Sequence, residues 1–338
     1  MTWSERRLIT ILSIILAVLS AAVLVVLGIR YRENRPVAAA AAADPAVQIT
    51  AAAKEAGSPY VAVEYFNGAA TVAFDITEEG KWVWRYDHDF PLDETVLHEI
   101  MNTVSTLSPQ QTLTDPEELE TYGLDSPDAS ILVTTTDQRY IQVLFGKATT
   151  DGKSFYCLLN GDYDTVYIFD GKLLDLMKTP IYDMCRLPEL PELTEETLLS
   201  VSLFGSTAED DSITQVTELT AQRKDGKTTW LCSGADVTAN KSLQALLEDI
   251  LALSIDRCVD YHPSEEAEEL CGFKSPTARA TIDYTNKNGT EEHLLLTIAN
   301  QLPDQTGRYV RIGEDTTIYY LPTELLDPMM RISVNGLK

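Results

Sequence analysis

Hydrophobic and polar positions divide the chain into three regimes. Residues 8–29 run without a charge, and most are Leu, Ile, Val or Ala. At about 1.5 Å per residue, a helix of that length spans roughly 33 Å, enough for a hydrocarbon core of about 30 Å. A signal-peptide core is shorter, about 7 to 15 residues. The pattern therefore predicts a retained transmembrane helix over 8–29, with residues 1–7 as a cytoplasmic tail. Residues 30–59 turn to Ala, Pro and small polar residues, the composition of a stalk. Beyond residue 60, short runs that alternate or are rich in β-branched and aromatic residues take over.

These runs predict strands over 60–66, 71–76, 129–135, 140–145, 155–159 and 165–169, and again over 199–204, 215–221, 278–284, 293–298, 309–312 and 316–321. Asp151-Gly152 and Asn160-Gly161 supply turns between the later strands of the first set. Val, Leu, Ile and Met at helical spacing predict helices within 93–107 and 242–254. The two sets carry matching landmarks. Tyr122-Gly123-Leu124-Asp125-Ser126-Pro127 recurs as Cys271-Gly272-Phe273-Lys274-Ser275-Pro276. Thr165-Val166-Tyr167 recurs as Thr317-Ile318-Tyr319, and Leu173-Leu174-Asp175-Leu176-Met177 as Leu325-Leu326-Asp327-Pro328-Met329. Upstream, Gly80-Lys81 and Trp84 match Gly226-Lys227 and Trp230. Four blocks in one order and at nearly constant spacing predict an internal repeat. The expected fold is α+β: a transmembrane helix, then two tandem copies of a mixed, mainly antiparallel sheet-plus-helix module. The expected bounds are 60–185 for module 1, 186–197 for a Pro-containing linker, 198–332 for module 2 and 333–338 for a tail.

The Gly-[Leu/Phe]-x-Ser-Pro block reads as helix-stop chemistry. Asp115, Pro116 and Glu118 predict a capped helix that ends at Tyr122. Gly123 then takes a left-handed conformation, Leu124 folds back, and Pro127 prevents the helix from resuming. Ser264, Gly272, Phe273 and Pro276 predict the same sequence of events in the second copy. Trp84, Trp230, Gly123, Gly272, Pro127, Pro276, Tyr167 and Tyr319 are thus read as structural repeat positions.

Acidic residues number 52 against 26 basic ones, for a net charge of −26. That balance argues against nucleic acid as a partner, because such binding relies on Lys and Arg neutralising phosphates. It also disfavours docking of the region beyond the stalk on anionic lipid, and its simplest meaning is solubility. Cys157, Cys185, Cys232, Cys258 and Cys271 form no Cys-x-x-Cys pair, and five cannot all pair internally. They are read as core fillers. Arg6 and Arg7 precede the span while Arg30, Arg32 and Arg35 follow it, so flanking charge is nearly balanced. A short tail and a large downstream region favour export. The expected location is the cell membrane, single-pass, with the C-terminal region extracytoplasmic.

Nucleophile-elbow, zinc-protease, P-loop and dinucleotide motifs are absent from the sequence. His88, His98, His262 and His293 are scattered. Asp162 and Asp164 flank a turn without the further ligands of a calcium loop, and Glu209-Asp210-Asp211 reads as a solvated hairpin tip. No cofactor or metal is expected. Trp82, Trp84 and Tyr86 share a face if the strand keeps its period, and Trp82 and Tyr86, peculiar to the first copy, form the candidate ligand face. Core packing remains the simpler account of all three.

The Tyr122–Pro127 turn, the strand pair around 140–146, Thr165-Val166-Tyr167 and the closing Leu173–Met177 block resemble domain-of-unknown-function family 4340. The resemblance covers about residues 60–330 and is better in the first copy. It implies a membrane-anchored bacterial envelope protein of a kind encoded beside ABC-type transporters of the gliding-motility type. It brings no catalytic residues. Cys271 replaces the tyrosine of the first copy, and Pro328 is expected to interrupt the second closing helix. The expected function is a non-enzymatic binding or scaffold module, its partners the bilayer through 8–29 and an integral-membrane transporter. An ectodomain for an envelope glycan or peptide is the alternative, and a hydrolase with an unrecognised site the remote one.

Overall fold

Burial alternates along the strands with the period of the sequence. Ala129, Ile131, Val133 and Thr135 are buried while the residues between them are half-buried. Ala278, Ala280, Ile282 and Tyr284 repeat this in the second half. One covered face is what a half-buried antiparallel strand requires. The computed structural model describes residues 60–137, 139–206 and 213–337. The expected tail, transmembrane span and stalk, and the Glu209-Asp210-Asp211 loop, lie outside the described residues. Among the described residues, no helix is long and apolar enough to cross a membrane.

In chain order the first half contains β1 (Tyr60–Phe66), β2 (Thr71–Ile76), β3 (Trp82–Trp84), α1 (Thr95–Ser105), β4 (Gln111–Leu113), a 3-10 turn (Leu119–Tyr122), β5 (Ala129–Thr135), β6 (Tyr140–Ala148), β7 (Ser154–Leu159), β8 (Asp162–Asp170) and α2 (Lys172–Met177). A second 3-10 turn (Ile181–Met184) leads into β9 (Leu198–Ser206), β10 (Ile213–Lys224), β11 (Lys227–Cys232), β12 (Ala235–Asp236), α3 (Lys241–Leu251), β13 (Arg257–Asp260), α4 (Glu265–Cys271), β14 (Ala278–Thr285), β15 (Glu291–Gln301), β16 (Gly307–Ile312), β17 (Ile318–Pro322) and α5 (Thr323–Asn335).

These strands build two antiparallel sheets. The first has the order β3-β2-β1-β5-β6-β7-β8-β4 and the second β12-β11-β10-β9-β14-β15-β16-β17-β13. Apart from the extra edge strand β12, the second order reproduces the first strand for strand. The fold is α+β and dominated by its sheets. The short return strands β4 and β13 were not legible in the sequence, because three or four residues are too few to display a period. Each nonetheless pairs antiparallel with the last long strand of its sheet.

Asn160-Gly161 makes the two-residue hairpin its sequence predicts. Both residues have positive φ, 50° and 70°, and Leu159 pairs with Asp162 across the turn. The helix-stop glycines also behave as expected, with left-handed φ of 69° at Gly123 and 89° at Gly272. Leu124 folds back against Leu158 and Val166. Each stop is tied to the sheet in one manner: Lys147 Nζ of β6 donates to the Glu120 carbonyl at 3.0 Å, and Asn300 Nδ2 of β15 donates to the Leu270 carbonyl at 3.3 Å.

Three local expectations differ from the structure. In the first copy no helix starts at Asp115: the turn begins after Glu118, whose side chain makes no cap bond. The Glu117 amide instead donates to the Tyr122 hydroxyl at 3.2 Å, which folds the segment back before a full α-turn forms. In the second copy Ser264 does cap α4, accepting from the Ala267 amide at 3.2 Å. Pro328 does not interrupt the closing helix, which runs unbroken through it. The carbonyl that loses its partner belongs to exposed Glu324, where water can replace the bond, while buried Leu326, Met329 and Ile332 hold the helix to its sheet. For the same reason the expected tail from 333 is partly helix: α5 continues to Asn335, and Ser333 is fully buried.

Contacts group residues 60–81 with 97–178 as one compact unit, and 82–96 with 179–337 as the other. The first unit thus stops short of the expected bound at 185 and lacks the segment 82–96. Proximity in sequence placed that segment in module 1, and β3 (Trp82–Trp84) does pair with β2 in the first sheet. Phe90–Asp93, however, find their partners around Tyr182–Arg186 and Tyr261, within the second unit.

Candidate functional site

The segment 82–96 crosses the second unit as a strap, and its chemistry begins with its backbone. Asp93 N donates to the Met184 carbonyl at 2.7 Å, and Arg186 N to the Pro91 carbonyl at 2.6 Å. Leu92 and Cys185 form an isolated antiparallel bridge, and Arg186 Nη2 adds a bond to the Leu92 carbonyl at 3.2 Å. The expected linker 186–197 is therefore anchored at its first residue.

β3 ends at Trp84, and a tight turn follows in which Asp87 N donates to the Trp84 carbonyl at 3.1 Å. The period-two face predicted for Trp82, Trp84 and Tyr86 stops there. Trp82 is buried, 3% exposed, whereas Tyr86 sits in the turn at 60% exposure. The two do not form one open face. Trp84 lies half-buried with its indole N–H shielded from solvent and without a hydrogen-bond partner. Trp230, its counterpart by spacing, packs in the core of the second unit with Leu219 and Leu243.

Phe90, buried at the centre of the strap, gathers the aromatic residues of the unit. Its ring meets Trp84 at 5.3 Å, Tyr261 at 5.7 Å and Tyr182 at 6.1 Å between centroids. Trp84 stands edge-on to Tyr86 at 6.0 Å, and Tyr261 lies 4.1 Å from the His262 ring. His262 Nδ1 is 2.8 Å from Asp87 Oδ2, and the Tyr182 hydroxyl donates to Asp260 Oδ1 at 3.2 Å. This cluster joins a residue of the strap, Phe90, to a turn, Tyr182, and to the loop before α4, Tyr261. Residue spacing carries no hint of that convergence.

Carboxylates set the electrostatics. Burial and then Asp260 push the Tyr182 hydroxyl up to about 12. Burial, Asp87, Asp89 and Asp315 raise Tyr261, and burial and Asp315 raise Tyr319. All are cases of a negative field and a low dielectric opposing a second negative charge. Aromatic faces set among carboxylates suit cationic or N–H-donating groups, through cation–π contact and charge-assisted hydrogen bonds.

The other sequence-selected residues fall outside this cluster. Gly123, Gly272, Pro127 and Pro276 belong to the helix stops. Tyr167 and Tyr319 are buried, Tyr167 stacked on Phe169 and Tyr319 donating to Asp315 Oδ2 at 3.2 Å. Asp162 accepts from the Asp164 amide at 3.0 Å as a turn residue. His88, His98 and His293 are exposed. Among the described residues, no group of three or more His, Cys, Asp or Glu is placed to hold a metal ion.

The fold and its sites define a sheet-dominated α+β protein whose aromatic cluster lies in its second unit. The model of a family described as a domain of unknown function, DUF4340, matches residues 82–276, more than half of the chain, and the chain belongs to that family. The match is narrower than the resemblance read over 60–330. It begins on the strap at Trp82 and ends at Pro276 of the second helix stop. No curated protein and no solved structure matched the chain.

Proposed function

We propose that the chain is a single-pass, membrane-anchored envelope protein, held by residues 8–29, whose duplicated modules face outward. In this reading the modules are a non-enzymatic binding or scaffold device accessory to an ABC-type transporter. The observation that carries it is the strap-built cluster in which exposed Tyr86 stands edge-on to half-buried Trp84, which rests on buried Phe90 and through it on Tyr261, with Asp87 and Asp89 near Tyr261 and Asp260 near Tyr182. Such a cluster recognises a basic or amide-rich protein segment through π faces and carboxylates. Membership in DUF4340 supports the transporter partner through what resemblance to that family implies.

The test places a photo-crosslinking residue at position 86 of the full-length protein in intact cells. A covalent adduct with a transporter permease subunit, competed by excess unmodified protein, is the expected outcome. Crosslinking to lipid or to abundant soluble proteins alone would overturn the reading. Orientation is tested separately: Ser58→Cys, in the stalk, should react with a membrane-impermeant maleimide in intact cells above the wild-type background. Reaction only after lysis reverses the topology.

An envelope glycan or peptide is the second reading, favoured by the exposure of Tyr86 against the Trp84 ring. Titration with cell-wall fragments should then shift indole fluorescence in the wild type and not in Tyr86→Ala. An identical response in both variants removes it.

A further inference from the structure

Two of the five cysteines are neighbours in space although they stand about 70 residues apart in sequence. Cys258 lies on the edge strand β13, where it pairs with Tyr319 of β17, and it is 2% exposed. Cys185 follows the 3-10 turn Ile181–Met184 and is 6% exposed. That turn packs on β13, and the Tyr182–Asp260 hydrogen bond fastens it two residues beyond Cys258. That packing sets the Cys185 and Cys258 side chains within interaction range of each other, while Cys185 Sγ donates to the Arg186 carbonyl at 3.7 Å. All five are free cysteines in the structure.

We propose that Cys185 and Cys258 are a disulfide site, closed by exchange with a small-molecule or protein disulfide, which staples the strap-bearing segment to the edge of the second sheet. Cys185 is bridged through its backbone to Leu92 of the strap, so the staple would fix the base on which the Phe90 cluster stands. The inference does not depend on the proposed partner of that cluster.

The chemistry is thiol–disulfide exchange. The hydrogen bond from Cys258 pulls the Cys185 thiol below its ordinary pKa, while that bond and burial push Cys258 up. Cys185 is therefore the sulfur that attacks. With oxidised glutathione, the Cys185 thiolate breaks the glutathione S–S bond, forms a mixed disulfide and releases one glutathione thiolate. Cys258, giving up its proton, attacks the Cys185 sulfur and releases the second. The protein sulfurs lose two electrons, the glutathione disulfide gains them, and both protons end on glutathione. Closing the S–S bond to about 2.05 Å joins two side chains carried on adjoining elements, the turn Ile181–Met184 and β13.

The experiment uses the full-length protein in detergent, incubated across a series of oxidised-to-reduced glutathione ratios, quenched in acid, denatured and alkylated. We expect the alkylatable thiols to fall from five to three, with non-reducing peptide mapping finding one intramolecular link, between the Cys185 and Cys258 peptides. In Cys258→Ser, Cys185 should accumulate as the glutathione mixed disulfide. The proposal is overturned if all five thiols remain alkylatable at the most oxidising ratio, if either cysteine links to Cys157, Cys232 or Cys271, or if both end as separate glutathione adducts. Should Cys258→Ser not fold, the wild-type map decides alone.

Discussion

In both units the opening strand pairs with the strand that follows the helix stop, β1 with β5 and β9 with β14, and one position in this ladder marks how they diverge. Phe66 faces Ser130 in the first unit and Phe204 faces Arg279 in the second, so Asn67 and Gly205 hold equivalent places. Asn67 Nδ2 donates to the Met177 carbonyl at 3.1 Å and takes up a carbonyl at the end of a six-residue α2. A side chain at Gly205 would collide with the Ser333 carbonyl of α5, and without one the helix runs on to Asn335. A polar side chain caps one closing helix, whose continuation Pro180 also blocks, and the absence of a side chain at Gly205 leaves room for the other to continue. The strand order survives such changes because the helix stops, hairpins and buried strand faces that determine it are present in both copies. The helices that close the units are free to vary in length.

The largest effect expected tests whether the closing helices are equivalent as core elements. Leu173 and Leu326 are each about 1% exposed. Leu173→Ala and Leu326→Ala should each cost about 2–5 kcal/mol in urea unfolding. A loss confined to one of them would show that only one closing helix is a core element. Leu176 and Leu325 are only half-buried, whereas Leu174 is buried, so Leu176→Ala should cost visibly less than Leu173→Ala.

Exchanging the divergent position comes next. Gly205→Asn forces a side chain against the α5 backbone and should destabilise by about 1–3 kcal/mol, as overpacking does. Asn67→Gly removes one hydrogen bond and should cost about 1 kcal/mol. Hydrogen exchange should quicken in residues 330–335 for the first variant and near Met177 for the second. Unchanged exchange in α5 would mean that Gly205 does not determine its length.

The helix stops should respond alike. At Gly123 an added Cβ would sit 2.7 Å from Lys147 Cγ, and at Gly272 2.5 Å from Asn300 Cγ, both on left-handed backbone. Gly123→Ala and Gly272→Ala should each lower stability by about 1–2 kcal/mol from backbone strain alone. A neutral result in either, read from the urea midpoint, would break the parallel between the stops.

The smallest effect separates the helix starts by pH. Asp93 Oδ1 accepts from Thr95 Oγ at 2.6 Å and from the Thr95 amide at 2.9 Å at the start of α1. Asn240 Oδ1 accepts from the Ser242 amide at 2.8 Å and the Leu243 amide at 3.2 Å before α3. The Thr95 hydroxyl and then its amide hold the Asp93 carboxyl below its ordinary value. Its contribution is therefore present above the unfolded aspartate value near pH 4 and lost as pH falls through the lower folded value. Asp93→Asn should flatten the acid limb of the urea-midpoint profile, and Asn240→Asp should steepen it. An unchanged acid limb in both variants would show that the two caps respond alike to pH.

The sequence on its own determined the elements whose causes are local. Period-two burial placed most of the long strands. Asn160-Gly161 required its hairpin, and Gly123 and Gly272 required left-handed helix ends. The matching order of these signals was enough to read one module twice, while the order of strands within each sheet came from the tertiary structure. Each cause acts within a few residues, through backbone sterics or through which side chains need cover. The tertiary structure alone decided the rest. β4 and β13 exist because a sheet edge offers unpaired backbone to three or four residues. Pro328 is tolerated because α5 is held by its buried face. Phe90 meets Tyr182 and Tyr261 because the middle of the strap packs in the unit that follows it, and Cys185 comes near Cys258 because the turn before it packs on β13. Such meetings depend on which surfaces remain uncovered once both sheets have formed, and the local pattern of hydrophobic and polar residues does not encode that.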